Sequence, residues 1–78
     1  MSGLDKSIER IKARPSEADF NDVRRVLEAF GWVQARQKGS HLSFTKPGAP
    51  TVVFPLYGRT KVKRVYLEEI CAIIGLEE

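Results

Sequence analysis

The chain has one cysteine, one histidine and one tryptophan in 78 residues, and each scarcity excludes something. With Cys71 alone, no disulfide can close within the chain. No cluster of Cys and His has the spacing of a zinc site, so no metal or other cofactor is expected. No apolar run is long enough to span a bilayer, and no charged-then-apolar leader precedes a small-residue cleavage site. The expected location is therefore cytoplasmic, with no membrane contact. Paired carboxylates, a Ser-His-Asp set and a phosphate-cradling glycine loop are also missing. The length supports a single domain over residues 1–78, and so short a chain draws limited stability from its core. With disulfide and metal excluded, a partner chain is the remaining source of extra stability.

Acid is scarce in one region only. The net charge is +3, and residues 1–30 contribute nothing to it, because Lys6, Arg10, Lys12, Arg14, Arg24 and Arg25 are balanced by Asp5, Glu9, Glu17, Asp19, Asp22 and Glu28. Residues 31–67 carry Arg36, Lys38, Lys46, Arg59, Lys61, Lys63 and Arg64 with no Asp or Glu, and Glu68, Glu69, Glu77 and Glu78 follow. A stretch of that composition lays a positive field over the surface it forms, and phosphate is the usual biological partner of such a field. Charge alone is equally compatible with a solvated basic surface that binds nothing.

Apolar spacing gives the elements. Leu4, Ile8 and Ile11 recur at helical intervals until Arg14-Pro15, where a residue before proline avoids the helical region. Phe20, Val23, Val26, Leu27 and Phe30 form one face of a second helix, capped by Ser16 or Asp19 and ended at Gly31. From Trp32 the pattern changes to three β-prone runs, about 32–37, 41–46 and 51–54. They are separated by Lys38-Gly39-Ser40 and by Pro47-Gly48-Ala49-Pro50, and Pro55 closes the last. In the middle run Leu42 and Phe44 take one face, and His41, Ser43 and Thr45 take the other. Tyr57–Thr60 reads as a loop. Thr60 is then a cap for a closing helix that turns Val62, Val65, Tyr66, Ile70, Ile73 and Ile74 inward and stops at Gly75. Cys71 lies near that face as a small packed hydrophobe without a chemical role. The expected class is α+β, in the order α-α-β-β-β-α, with helices on one face of an antiparallel sheet and the other face open.

His41 starts a strand on that open face, inside the acid-free region, next to a glycine that allows close backbone approach. One proton-transfer group beside several cations suits RNA cleavage. RNA brings its own nucleophile in the 2′-hydroxyl, and an imidazole with an unperturbed pKa near 6.5 serves in either proton role. Arg36, Lys38, Lys61 and Lys63 are the nearest candidates to stabilise charge at phosphorus, each with the plainer alternative of a simple phosphate contact.

Phe30-Gly31-Trp32, then Arg36-Gln37-Lys38-Gly39-Ser40-His41 with Phe44, then Pro47 and a closing helix with Tyr66-Leu67, resemble the HicA toxins of bacterial and archaeal toxin–antitoxin pairs. The likeness covers roughly residues 20–76. It implies a double-stranded-RNA-binding-domain-like fold and an mRNA-cleaving activity. His41 would take the catalytic position, and Arg36, Lys38, Gly39, Ser40, Arg59, Lys61 and Lys63 would line the RNA. A HicB antitoxin would cover the site, and the toxin alone is expected to be a monomer. Two departures stand out. Leu42 replaces the second histidine that many members place directly after the first, and residues 1–19 add a helical extension that the shortest members lack. A non-catalytic RNA-binding module and a domain whose basic face serves an acidic partner chain are the alternatives. Salt-sensitive binding that leaves RNA intact would mark the first of these.

Overall fold

The computed structural model describes residues 3–76, and hydrogen bonds at the element ends account for most of their boundaries. Helix α1 spans Gly3–Lys12 and helix α2 spans Phe20–Ala29. Of the two caps considered for α2, Asp19 is the one used, its carboxylate accepting from the Asn21 N–H at 3.2 Å. The carbonyl of Ser16 accepts instead from the Arg64 N–H at 3.0 Å. At its other end α2 is closed by two bonds, Gly31 N–H to the Glu28 carbonyl and Trp32 N–H to the Leu27 carbonyl, at 3.1 and 3.0 Å. This pair satisfies carbonyls that a helix terminus leaves open, and it starts the buried Trp32 on its way into the sheet.

Strands β2 (Val33–Lys38), β3 (His41–Thr45) and β4 (Val52–Pro55) form an antiparallel sheet in the order β2-β3-β4. Alternation along β3 is as expected. Leu42 and Phe44 are fully buried, while His41 and Thr45 are exposed and Ser43 is half-buried. Across the buried face Phe44 and Phe54 stack with centroids 5.9 Å apart, and Phe20 of α2 tilts against both at 6.4 and 6.5 Å. These rings join Val23, Val26, Leu27, Leu67 and Ile70 in one core, so the helices cover one side of the sheet. Pro55 lies in β4, an edge strand, where a residue without an N–H costs the sheet least.

A second, two-stranded sheet was not anticipated. Strand β1 (Glu17–Asp19) pairs antiparallel with β5 (Lys61–Lys63), in the register Glu17↔Lys63, Ala18↔Val62 and Asp19↔Lys61. Helix α3 consequently spans Arg64–Ile74 and does not begin after Thr60; Lys63 is its N-cap and supplies no side-chain bond. Its inward face is also corrected. Leu67, Ile70 and Cys71 are buried and Tyr66 and Ile74 half-buried, whereas Val65 and Ile73 are 56% and 42% exposed. Val62 does point inward, but from a strand, so it has no bearing on the helical phase that the sequence pattern had assigned to it.

The N-terminal helix is fastened by polar bonds as well as by apolar packing. Ile11 of α1 is fully buried, and its carbonyl accepts from the Cys71 Sγ at 3.7 Å. The buried Ser7 hydroxyl donates to the Asp22 carboxylate at 2.7 Å and accepts from Arg25 Nη1 at 2.9 Å. Arg10 donates to both Asp22 oxygens. The side-chain oxygen and nitrogen atoms buried among the described residues all have partners, as a folded interior requires. No described helix is long and apolar enough to cross a membrane.

Candidate nucleic-acid interface

A two-residue turn sets the position of His41. Gly39 and Ser40 join β2 to β3, with Lys38 and His41 as the closing pair of the hairpin. Gly39 has a φ of +63° and Ser40 is on the negative side, the pattern of a type II′ turn, whose twist matches that of the strands it joins. The Gln37 side-chain amide donates to the Gly39 carbonyl at 3.1 Å and braces the turn. On its other side His41 is paired with Pro55. Directly opposed residues of an antiparallel pair share a face, so the exposed imidazole stands between the exposed Lys38 and the Pro55 ring. Leu42 points into the core, so the residue following His41 has no access to this surface.

The hairpin end meets a second turn. The Ser40 carbonyl accepts from the Leu56 N–H at 2.7 Å, which carries the β3–β4 pairing one residue further. Tyr57 then bridges to Lys61 and encloses Gly58, Arg59 and Thr60. Between the two turns lies an open cavity of about 350 Å³ lined by Gln37, Gly39, Ser40, Leu56 and Arg59. Three of the residues expected to contact RNA, Gly39, Ser40 and Arg59, therefore surround one depression. His41 stands at its border and does not line it. Arg36 takes the register position opposite Ser43, two pairs along the strand from His41.

Lys61 and Lys63 are placed differently. They flank the buried Val62 on β5, so both belong to the outer side of the small sheet, outside the cavity lining. Opposite them in register are Asp19 and Glu17. A region without acid in the sequence is thus not without acid in space, because β1 brings two carboxylates alongside these lysines. Among the described residues neither lysine forms a salt bridge with either carboxylate, so the attraction between them is weak and screened by salt.

Tyr57 belongs to the segment whose sequence pattern reads as a loop. It is 57% exposed, and the Lys63 Nζ lies over its ring, 3.9 Å from the centroid. The signal available in advance was an aromatic side chain in a glycine turn surrounded by cations, Tyr57-Gly58-Arg59-Thr60-Lys61.

A small α+β domain with a histidine on the open face of its sheet, bordered by cationic turns, is the class of protein that this fold and site define. The profile of the family described as HicA toxin of bacterial toxin-antitoxin matches residues 20–76, which include every site residue named above. The chain belongs to the HicA toxin family and is a toxin of a toxin–antitoxin pair. Its α+β architecture is compatible with the double-stranded-RNA-binding-domain-like fold expected of that family. Comparison with curated proteins and with solved structures gave no match.

Proposed function

We propose that this toxin is an endoribonuclease acting on mRNA, with His41 as its general acid or base. The observation that carries this reading is the exposed His41 on the open sheet face, paired in register with Lys38 and adjoining the Ser40–Arg59 depression. Cleavage needs no nucleophile from the protein. The ribose 2′-oxygen bonds to the adjacent phosphorus as its proton passes to the imidazole. The bond to the 5′-oxygen breaks, and that oxygen takes a proton from solvent as it leaves, giving a 2′,3′-cyclic phosphate and a 5′-hydroxyl end. Lys38 is the cation nearest in register to stabilise the negative charge gathering on the phosphate oxygens. Arg36, Gly39, Ser40 and Arg59 hold the strand, and Lys61 and Lys63 extend the cationic track beyond the cavity. The substrate supplies the attacking group, so the reaction runs without a metal.

The toxin acts in the cytoplasm as one domain, with residues 1–19 an extension of the core, and is monomeric until a HicB-type antitoxin covers the His41 surface. Incubating the purified protein with RNA, with and without chelator, beside His41→Ala tests the chemistry. Cleavage should survive chelation and fall about 10²- to 10⁴-fold in the variant. Equal cutting by both proteins excludes His41 as the catalyst. DNA of the same sequence should bind and remain whole, since it lacks the 2′-hydroxyl. RNA that is bound in a salt-sensitive way and never cut would make the domain a binding module.

A further inference from the structure

We infer that Tyr57 is a stacking platform for one unpaired nucleobase of the RNA, and hence that the site takes locally single-stranded RNA in preference to continuous duplex. This rests on the reading of the His41 surface as an RNA site. The first support is exposure. Tyr57 is 57% exposed, and nothing in the packing of the core calls for an aromatic ring there. The second is rigidity. Tyr57 pairs with Lys61 through bonds of 2.7 and 3.0 Å that close the turn around Gly58 to Thr60, so the ring is held on a fixed backbone. The third is electrostatic. Lys63 Nζ sits 3.9 Å from the ring centroid, within cation–π range, and places a phosphate-binding charge against the aromatic surface. Aromatic platforms set into a cationic groove are the recurring solution for single strands, because every base offers a π-face to stack while the phosphates track the charges.

Position completes the case. Tyr57 follows Leu56, whose N–H is bonded to the Ser40 carbonyl, and it lies two residues beyond Pro55, the partner of His41. A base stacked there is within a nucleotide or so of the phosphate beside His41. A base inside a duplex presents its faces only to its neighbours in the stack, so a nucleotide must leave the helix to reach the ring. The platform therefore selects loops, bulges and unpaired stretches.

The experiment uses RNA with 2′-fluoro sugars, which lacks the attacking hydroxyl, so binding is read whether or not the protein cleaves. A 2-aminopurine-labelled single strand and a duplex of the same sequence are titrated with the wild type, Tyr57→Ala, Tyr57→Phe and Lys63→Met. Tyr57→Ala should weaken single-strand binding about five- to 150-fold, the range for loss of one base–aromatic stack, and should abolish the quenching of 2-aminopurine. Tyr57→Phe should keep both. Duplex binding, weaker from the outset, should be indifferent to the ring. Unchanged single-strand affinity in Tyr57→Ala overturns the proposal. So does an equal loss for single strand and duplex, which would mark a general phosphate surface. If Tyr57→Ala instead loses only the co-expressed antitoxin, the ring serves a protein partner and the proposal is wrong. Failure of the nuclease reading would appear separately, as intact natural RNA with the stacking signals still present.

Discussion

Replacing Gly39 with alanine tests whether the hairpin holds His41 in place by backbone conformation alone. The ideal Cβ of residue 39 would meet nothing within 4 Å, so the substitution creates no clash, and the φ of +63° is the only obstacle. An L-residue at this positive-φ position of a type II′ turn costs on the order of 1–3 kcal/mol. Alanine also narrows the unfolded ensemble, which offsets about 0.4–1 kcal/mol of that cost. The net loss is about 1 kcal/mol, and in a domain this small it lowers Tm by about 4–8 °C. D-alanine, introduced by chemical synthesis, favours positive φ and keeps the unfolded-state gain. Its expected effect is a rise of a few degrees. Thermal unfolding followed by circular dichroism reads both. If the two enantiomers shift Tm in the same direction by the same amount, the turn is governed by side-chain contacts and the conformational account is wrong. Because Lys38 and His41 close this turn, the L-alanine variant should also cleave RNA more slowly than its loss of stability explains, and the D-alanine variant should not.

Other consequences can be measured independently. Asp19→Asn retains a capping oxygen for α2 while removing the charge opposite Lys61, so RNA affinity should rise by up to about fivefold at low salt and match the wild type at high salt; a fall at low salt would contradict the register. Leu42→Ala should cost about 2–5 kcal/mol in denaturant unfolding, and Ser43→Ala less than about 0.5, because only the former lies in the core. Asp22→Ala strands the buried Ser7 hydroxyl without its acceptor and should destabilise by about 1–3 kcal/mol, with the larger share of the effect lost when Ser7→Ala is already present. Cys71 should resist alkylation in the folded protein, and Cys71→Ala should leave the rate of RNA cleavage unchanged; rapid labelling under native conditions would disprove its burial.

Much of this arrangement was legible because local rules and tertiary structure agree. The face of α2, the strand alternation that turns His41 outward and Leu42 inward, and the glycine stops of α2 and α3 are all written at short range, within three or four residues of one another. The small β1–β5 sheet was not. Glu-Ala-Asp and Lys-Val-Lys each hold a single apolar residue between polar ones, one repeat of the strand alternation and too little to mark a strand, and they become strands only by finding each other across the chain. Missing that pairing had two effects. Val62 falls at helical spacing, which turns the expected inward face of α3 onto Val65 and Ile73, and a stretch that does lack acid in sequence gives no sign that Glu17 and Asp19 lie alongside it. The site shows the same division. The hairpin turn and His41 are contiguous in sequence and were found, whereas the approach of Arg59 to Gly39 and Ser40, and of Lys63 to Tyr57, depends on where β4 delivers the following turn.

The pairing of Glu17–Asp19 with Lys61–Lys63 also has a bearing on synthesis. The hairpin that carries His41 is complete once residue 55 has been made, but the lysine ledge has no backbone partner until residues 61–63 emerge and return to a segment released much earlier. A chain cut after residue 60 would keep the imidazole-bearing hairpin but lose Lys61, Lys63 and the strand that pairs with Glu17–Asp19, so the two sheets depend on segments completed at different times.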